Sequence, residues 1–370
     1  MNEKMKTLIE KLEKERSLSL EKYQYLIDNR DEESRELLRE KADEARRRVY
    51  GNKVFIRGLI EISNICKNDC FYCGIRKGNR NCQRYRLSEE DILECCKEGY
   101  GLGFRTFVMQ GGEDGFFSDE TVCDIVKKIK EKYPDCAVTL SLGERSEESY
   151  RKLFEAGADR YLLRHETADK QHYGKLHPEE LSWENRMECL KNLKKIGFQT
   201  GCGFMVGSPY QTTAHLAKDL KFVEEFSPEM CGIGPFIPHN ETIFKDEKAG
   251  TCELTCYLLS IVRLIKPNIL LPSTTALGTI DKDGREKGIL SGGNVVMPNL
   301  SPLSVRKKYM LYDGKISTDE EAAENLMKLK EKIKAIGFEV VTDRGDFINA
   351  KCKITDKKLN YVIPGDTEES

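Results

Sequence analysis

Cys66, Cys70 and Cys73 stand in the spacing C-x3-C-x2-C, within Ile65-Cys66-Lys67-Asn68-Asp69-Cys70-Phe71-Tyr72-Cys73-Gly74. Three thiolates this close cannot all face one way on a helix or a strand, so they predict a tight loop wrapped around a metal centre. Three ligands leave one iron of a cubane cluster open to bind and reduce a substrate, whereas ordinary ferredoxin clusters use other spacings. Two plainer readings compete. Free cysteines often serve as small buried hydrophobes. A structural zinc would take four ligands, and Cys82, nine residues on, could supply the fourth.

Further chemistry-bearing residues recur at intervals down the chain. Gln110-Gly111-Gly112-Glu113-Asp114 combines paired glycines, which let a ligand approach the backbone, with adjacent carboxylates able to hold an ammonium group. In Arg164-His165-Glu166-Thr167 the arginine offers a planar fork for a carboxylate and the glutamate can accept two ribose hydroxyls. An Arg–Glu ion pair with no ligand is the bland alternative. Arg186 is a second candidate anion partner. Cys231-Gly232-Ile233-Gly234-Pro235-Phe236 places small residues where a flat ring could lie on backbone. His239 follows, and a lone histidine is more often a hydrogen-bonded structural residue. Pro272-Ser273-Thr274-Thr275 offers hydroxyls, and Met297-Pro298-Asn299 closes the series.

These groups need a scaffold that gathers them. Residues 1–50 read as a charged helical extension. Ser19 is placed to cap a helix carrying Tyr23, Leu26 and Ile27, and a second helix follows Asp31 with Leu37, Leu38, Ala42 and Ala45 as its apolar stripe. From Val54 apolar strands alternate with amphipathic helices. The strands are expected near 54–63, 105–110, 136–141, 159–164, 198–206, 230–236, 269–274 and 294–297. Ser88, Ser118 and Ser182 mark helix starts; Gly103, Gly157 and Gly197 mark helix ends before the next strand. Eight strand–helix units predict an α/β fold, a (β/α)8 TIM-type barrel over 51–312, with a C-terminal α/β extension over 313–370. A doubly wound open sheet is the alternative. In either, chemistry sits just beyond the C-terminal ends of the strands, where each motif above falls.

Composition limits the partners. The 370 residues carry 60 basic and 62 acidic side chains, a net charge of -2, which gives no field to gather nucleic acid or an anionic membrane. The first residues lack the apolar stretch of a secretory signal. No apolar run approaches the ~20 residues of a membrane helix. Fourteen cysteines in such a chain point to a reducing cytoplasm, where thiols are kept for metals or burial.

With these residues in view, the chain resembles the radical S-adenosylmethionine superfamily, whose cluster motif matches Cys66, Cys70 and Cys73 with Tyr72 before the last cysteine. The stretches 110–114, 140–144, 159–167, 232–239, 274–279 and 295–300 resemble the HydE-type maturases of FeFe-hydrogenase, over about 50–345. The resemblance implies a 4Fe-4S cluster on the three cysteines, with S-adenosylmethionine on the fourth iron. It implies contact of Gly111, Gly112 and Glu113 with the methionine amino group, and of Glu166 with the ribose. Arg164 and Arg186 would meet carboxylates, Tyr72, Ile233 and Gly234 would flank the adenine, and Thr274, Thr275 and Thr279 would line the substrate end. The implied reaction forms a 5′-deoxyadenosyl radical that attacks a small organometallic iron–cysteine complex. An electron donor such as ferredoxin or flavodoxin, and other hydrogenase maturases, are the implied partners.

The chain also departs from these relatives. Where many carry three cysteines for an accessory cluster, it has Ser317, Asn325 and Lys328, so no accessory cluster is expected, and Cys352 alone cannot replace it. Pro209-Tyr210-Gln211-Thr212 and Glu241-Thr242-Ile243 also differ. Within the superfamily, a methylornithine synthase and a biotin synthase are the rivals, the latter needing a second cluster on cysteines such as Cys136, Cys202 and Cys231. A zinc-stabilised binding protein that depends on Cys82 is the rival of another class.

Overall fold

The computed structural model describes residues 1–316 and 322–348. The chain opens with three helices, α1 (Glu3–Glu15), α2 (Leu20–Asp28) and α3 (Glu32–Tyr50). The first has no counterpart among the expected elements. Its Asn2 side chain accepts from the Met5 N–H, a cap set in a segment too charged to show a clear apolar stripe. Ser19 precedes α2 but makes no side-chain cap bond. Asp31 and Ser34 form a reciprocal capping box at α3.

Beyond the extension come β1 (Lys53–Ile56), β2 (Gly58–Ser63), α4 (Glu89–Gly101), β3 (Thr106–Gly111), α5 (Asp119–Lys132), β4 (Ala137–Ser141), α6 (Glu147–Glu155) and β5 (Arg160–Leu162). Then follow α7 (Lys170–Leu176), α8 (Trp183–Ile196), β6 (Gln199–Cys202), β7 (Met205–Val206), α9 (Thr213–Phe226), β8 (Met230–Cys231) and β9 (Gly234–Pro235). The described chain ends with α10 (Cys252–Ile265), α11 (Thr275–Ile280), α12 (Gly284–Leu290), β10 (Val295–Val296), α13 (Leu303–Arg306), α14 (Ala322–Ala335) and β11 (Glu339–Val341). Ser88, Ser118 and Ser182 each cap a helix through a side-chain bond, as their positions predict. Gly103, Gly157 and Gly197 take φ of 95°, 108° and 113°, the left-handed region that ends a helix at low cost for glycine.

The strands form a parallel ring. Strands β2-β3-β4-β5-β6-β8 make one ladder, and β10 pairs with β1. The seventh strand position is reduced to bridges, Met230 to Leu270 and Pro272 to Val295, and a Leu59–Asn299 bridge joins the eighth back to the first. The architecture is therefore the expected α/β barrel, with three expected strands interrupted. The first breaks at Arg57, so that β1 also receives β11 as a parallel neighbour, Lys53 opposite Glu339. The fifth and sixth break at Gly203 and Gly232. A Cβ at 203 would stand 2.0 Å from the Gly232 carbonyl oxygen, so two glycines let neighbouring backbones close in and re-aim the strand ends.

The helical extension lies on the barrel's outer wall. The Tyr23 hydroxyl donates to Glu224 of α9 at 2.7 Å, and Tyr257 of α10 donates to the Leu26 carbonyl at 2.8 Å. Residues after β11 close the N-terminal end of the barrel. There the Arg344 carbonyl accepts from Thr106 and Arg160, both at 2.8 Å, and the Arg160 guanidinium, wholly buried, pairs with Asp346 at 2.5 Å. One end is thus sealed by an ionic plug, and the C-terminal ends of the strands carry the opening. No described helix is long and apolar enough to cross a membrane.

Candidate active site

The cysteine loop leaves β2 and is held from three sides. Lys67 N–H donates to the Glu113 carbonyl at 3.0 Å, Phe71 N–H to Leu176 at the end of α7 at 3.0 Å, and Gly74 N–H to Leu311 at 2.9 Å. Burial pushes all three thiols above their ordinary range, Cys73 to about 12, and Cys70 and Cys73 each lie within electrostatic reach of Cys66. Such thiols become thiolates only beside a strong cation, which is the condition a metal centre creates. Among the described residues no group of three or more His, Cys, Asp or Glu side chains is arranged to hold a single metal ion. Zinc would need four sulfurs converging at about 2.3 Å from one centre, whereas a cluster takes its ligands on separate irons. Cys82 stands apart. Its sulfur accepts from the Asn64 amide at 3.4 Å, and Arg84 is the charge that acts on it.

The glycine pair after β3 abuts this loop. A Cβ on Gly112 would lie 2.3 Å from the Ile65 carbonyl oxygen and 2.7 Å from the Cys66 Cβ, so only glycine fits there. Gly111 bonds in register with Ser63. Glu113 N–H points to the Cys66 sulfur at 3.4 Å, and its carboxylate accepts from Glu144 N–H at 2.9 Å and pairs with Lys67 at 3.1 Å. Asp114 corrects one expectation. Its carboxylate is buried, gripped by Arg86 at 2.7 and 2.9 Å and by Ser63 at 2.7 Å, so it braces the motif and is committed before any ammonium group arrives.

Beyond β5, Glu166 takes φ +63°, a left-handed conformation that costs a non-glycine residue about 1–2 kcal/mol. It is pinned by its N–H to the Gly203 carbonyl at 3.0 Å and by Met205 N–H to its own carbonyl at 3.3 Å. The Glu166 carboxylate lies 3.2 Å from Arg164, yet its Oε2 and the Arg164 Nε and Nη2 are buried without an aligned hydrogen bond. Buried polar atoms left so are ready for a ligand. Glu166 and Arg186 both lie within electrostatic reach of Cys70 and Tyr72. Arg186 is anchored by Glu144 and donates to the Arg164 carbonyl at 2.7 Å.

The other candidates fall on the same rim. Ile233 is buried, and a Cβ on Gly234 would meet the Thr274 hydroxyl at 2.9 Å. The Thr274 Oγ1 is itself buried and unpartnered. Thr275 opens α11, and Thr279 is spent inside it, donating to the Thr275 carbonyl at 3.0 Å. His239 is structural, as a lone histidine predicts. Its Nδ1 accepts from Glu241 N–H, and its ring fills the space beside Gly74.

Sequence reasoning missed three supports of the site. His177 donates through Nδ1 to the Tyr173 carbonyl at 2.9 Å, so its Nε2 accepts from the Tyr72 hydroxyl at 3.2 Å and fixes that ring edge-on at 5.4 Å. His165 accepts at Nδ1 from Gly203 N–H at 3.3 Å and faces Asp219 of α9 at 3.3 Å, all three wholly or nearly buried. Inside the mouth, Lys315 pairs with Glu61, which also accepts from Asn299 at 2.9 Å. Only the histidines carried a signal, as polar residues flanking a motif. Cys202 and Cys231 are both buried and oppose each other at 3.9 Å. Of the accessory-cluster positions, Ser317 lies outside the described residues, as does Cys352. Asn325 is buried on α14, and Lys328 pairs there with Glu324 at 2.8 Å.

Comparison with known proteins gives the same frame. The Radical SAM superfamily matches residues 60–223. The FeFe-hydrogenase maturase subunit HydE of Thermotoga maritima is 43% identical over 338 residues, covering 91% of this chain and 96% of its own. The 3-methylornithine synthase of Methanosarcina acetivorans is 28% identical, covering 85% and 88%. Among solved structures, methylornithine synthase superposes with a TM-score of 0.79 at 24% identity over 90% of this chain and 97% of its own, a likeness of fold. The chain belongs to the radical SAM superfamily as an enzyme of the HydE type.

Proposed function

We propose that this enzyme binds a 4Fe-4S cluster on Cys66, Cys70 and Cys73, cleaves S-adenosylmethionine reductively, and acts in assembly of the two-iron subcluster of FeFe-hydrogenase. The observation that carries the reading is the Glu166–Arg164 ion pair, 3.2 Å apart with buried polar atoms that make no aligned hydrogen bond, its glutamate within electrostatic reach of a three-thiol loop. When bound, the cluster and S-adenosylmethionine supply an electron and a 5′-deoxyadenosyl radical.

The protein's part is orientation and exclusion of water. Glu113 offers a carboxylate to the methionine ammonium, with Lys67 its present partner. Glu166, held left-handed, presents its free oxygen to the ribose hydroxyls. Arg164 has two unsatisfied donors for a carboxylate, whereas Arg186 is already neutralised by Glu144 and acts mainly by orienting Arg164. Tyr72, fixed by His177, gives one wall for the adenine, and the Ile233-Gly234 backbone gives the other. Thr274 contributes a free hydroxyl toward the substrate end, with Thr275 beside it. Thr279 serves that end through α11. The substrate class is a small iron–cysteine complex bearing carbon monoxide and cyanide. A ferredoxin or flavodoxin would be the electron donor, and other hydrogenase maturases are its functional partners in the cytoplasm.

The deciding experiment is anaerobic reconstitution followed by electron paramagnetic resonance with and without S-adenosylmethionine. A cluster signal that shifts on adding the cofactor, with 5′-deoxyadenosine formed when the iron complex is supplied, is the expected result. An unshifted signal would sink the open-iron reading. Turnover of lysine in place of the iron complex would move the enzyme to methylornithine chemistry.

A further inference from the structure

A second thiol site lies on the outer wall, far in sequence from the cluster loop and unused by the reaction. Cys252 is the first residue of α10 and Cys256 follows one turn later, their sulfurs 3.9 Å apart. They open into a groove of about 860 Å3 between α3, α10 and α12, which Glu36, Asp281, Lys287 and Ser291 also line. Both cysteines are partly exposed. The Thr251 cap bonds Leu254 N–H at 3.1 Å, and the remaining free N–H groups of the first turn favour an anion on Cys252. The hydrogen bond from Cys256 lowers the Cys252 thiol further. Lys287, held by Asp281 at 2.5 Å, lies within electrostatic reach of both thiols, while the hydrogen bond to Cys252 and burial push the Cys256 thiol well above its usual range.

Geometry selects what two such sulfurs can do. Residues four apart on a helix keep their Cβ atoms about 5–6 Å apart. A disulfide needs about 3.5–4.5 Å, so closing one would unwind the capped first turn. Two metal–sulfur bonds of about 2.3 Å laid end to end span about 4.6 Å, which 3.9 Å reaches by a small rotamer change. Zinc would want two more ligands, and no group of three is arranged for a single ion among the described residues. Two thiolates in a line suit a soft monovalent cation such as Cu(I).

We propose that Cys252 and Cys256 form a two-thiolate site for a soft, thiophilic monovalent cation, separate from the iron centre. Binding breaks two S–H bonds and forms two sulfur–metal bonds. Two protons leave to solvent and no electron moves; the resulting complex carries one negative charge, facing Lys287 and its partner Asp281.

The test uses the anaerobic holoenzyme, titrated with Cu(I) delivered from a competing chromophoric chelator, with iron content followed in the same samples. Wild type is expected to take up about one Cu(I) per chain more than the Cys252→Ser/Cys256→Ser double variant, with two sulfur neighbours in the copper X-ray absorption spectrum. Either single serine variant should lose roughly a hundredfold or more in affinity, since a direct ligand matters at least as much as the outer partners worth 10–100-fold. Cys123→Ser, on α5, should bind as wild type. Copper retained by the double variant would overturn the proposal. So would copper uptake that tracks iron loss, or a Cys252–Cys256 disulfide recovered from the untreated holoenzyme.

Discussion

Replacing Asp219 tests how the ribose-facing glutamate is held. The Asp219 Oδ1 accepts from the Ala168 N–H at 2.6 Å and faces His165 Nε2 at 3.3 Å, and both carboxylate and imidazole are wholly buried. Burial pushes this carboxyl well above its usual range, and burial likewise holds His165 down at about 3, so burial favours the neutral form of each. Since His165 accepts at Nδ1 from Gly203 N–H, its proton sits on Nε2, facing Asp219. The pair thus ties β6 and the turn at 168 together on either side of Glu166. Asp219→Leu leaves the buried Ala168 N–H without an acceptor, a stability loss of about 1–3 kcal/mol. It also frees Glu166 to leave its left-handed conformation. The roughly 1–2 kcal/mol that this conformation costs would then be drawn from cofactor binding, a loss of about 5–30-fold in affinity. Asp219→Asn keeps the acceptor oxygen and the neutrality, and should cost under about 1.5 kcal/mol. Thermal unfolding gives the first quantity and titration of the reconstituted protein with S-adenosylmethionine the second. If Asn damages the protein as much as Leu, the group is working as a charge and the neutral-pair argument fails. If Leu leaves affinity unchanged, the pair does not position Glu166.

Four further outcomes are expected. Cys70→Ala should abolish cluster and 5′-deoxyadenosine formation while far-ultraviolet circular dichroism still shows the folded barrel; a variant that still forms the nucleoside refutes the cluster assignment. Glu166→Gln should weaken cofactor binding more than it alters the cluster spectrum, because Oε2 is the atom left free for a hydroxyl; equal affinity in a titration would remove the ribose role. Asp346→Ala strips the counter-ion from buried Arg160, and because Asp346 is 39% exposed the loss should be about 2–3 kcal/mol in denaturant melts, below the 3–5 of a fully buried pair. Acid should weaken the fold between about pH 6 and pH 4.5: His165 and His177, both held near 3 by burial, each remove up to about 1.4 kcal/mol per pH unit as the unfolded chain takes up protons, with lowered His172 adding to this and raised Asp219 opposing it. The slope should fall by up to about 1.4 kcal/mol per unit in His177→Gln; an unchanged slope contradicts the assignment.

The parts legible in the sequence were those fixed by local chemistry. Ser88, Ser118 and Ser182 cap because a hydroxyl beside three free N–H groups has one good use, and Gly103, Gly157 and Gly197 end helices because the left-handed turn excludes a side chain. The cysteine loop and the Gly112 contact were readable for the same reason. What was hidden depends on distant partners. Gly203 and Gly232 look like ordinary strand glycines until two backbones meet, and β11 joins β1 across nearly the whole chain. Asp219 lies on an amphipathic helix, where an acidic residue predicts a solvated face; only the barrel wall makes it a buried partner of His165.

The two ends of the barrel differ in how their polar groups are satisfied, and that difference accounts for where the chemistry sits. At the sealed end Arg160 bonds Thr106, the Arg344 carbonyl and Asp346, while Asp346 also takes Gln199 and Arg344. These groups are saturated by one another, so they fix the fold and have nothing left for a ligand. At the open end Glu166 Oε2, Arg164 Nε and Nη2 and Thr274 Oγ1 are buried yet unfilled, although Arg164 and Glu166 stand close enough to satisfy each other. What keeps them from doing so is the backbone: Glu166 is locked left-handed by Gly203 and Met205, and Arg164 has its carbonyl claimed by Arg186. An acid and a base held 3.2 Å apart but misaligned retain most of their capacity for a third party. Loosening the neighbours that hold position 166 left-handed therefore removes the constraint that keeps those atoms available, even where every cluster cysteine is intact.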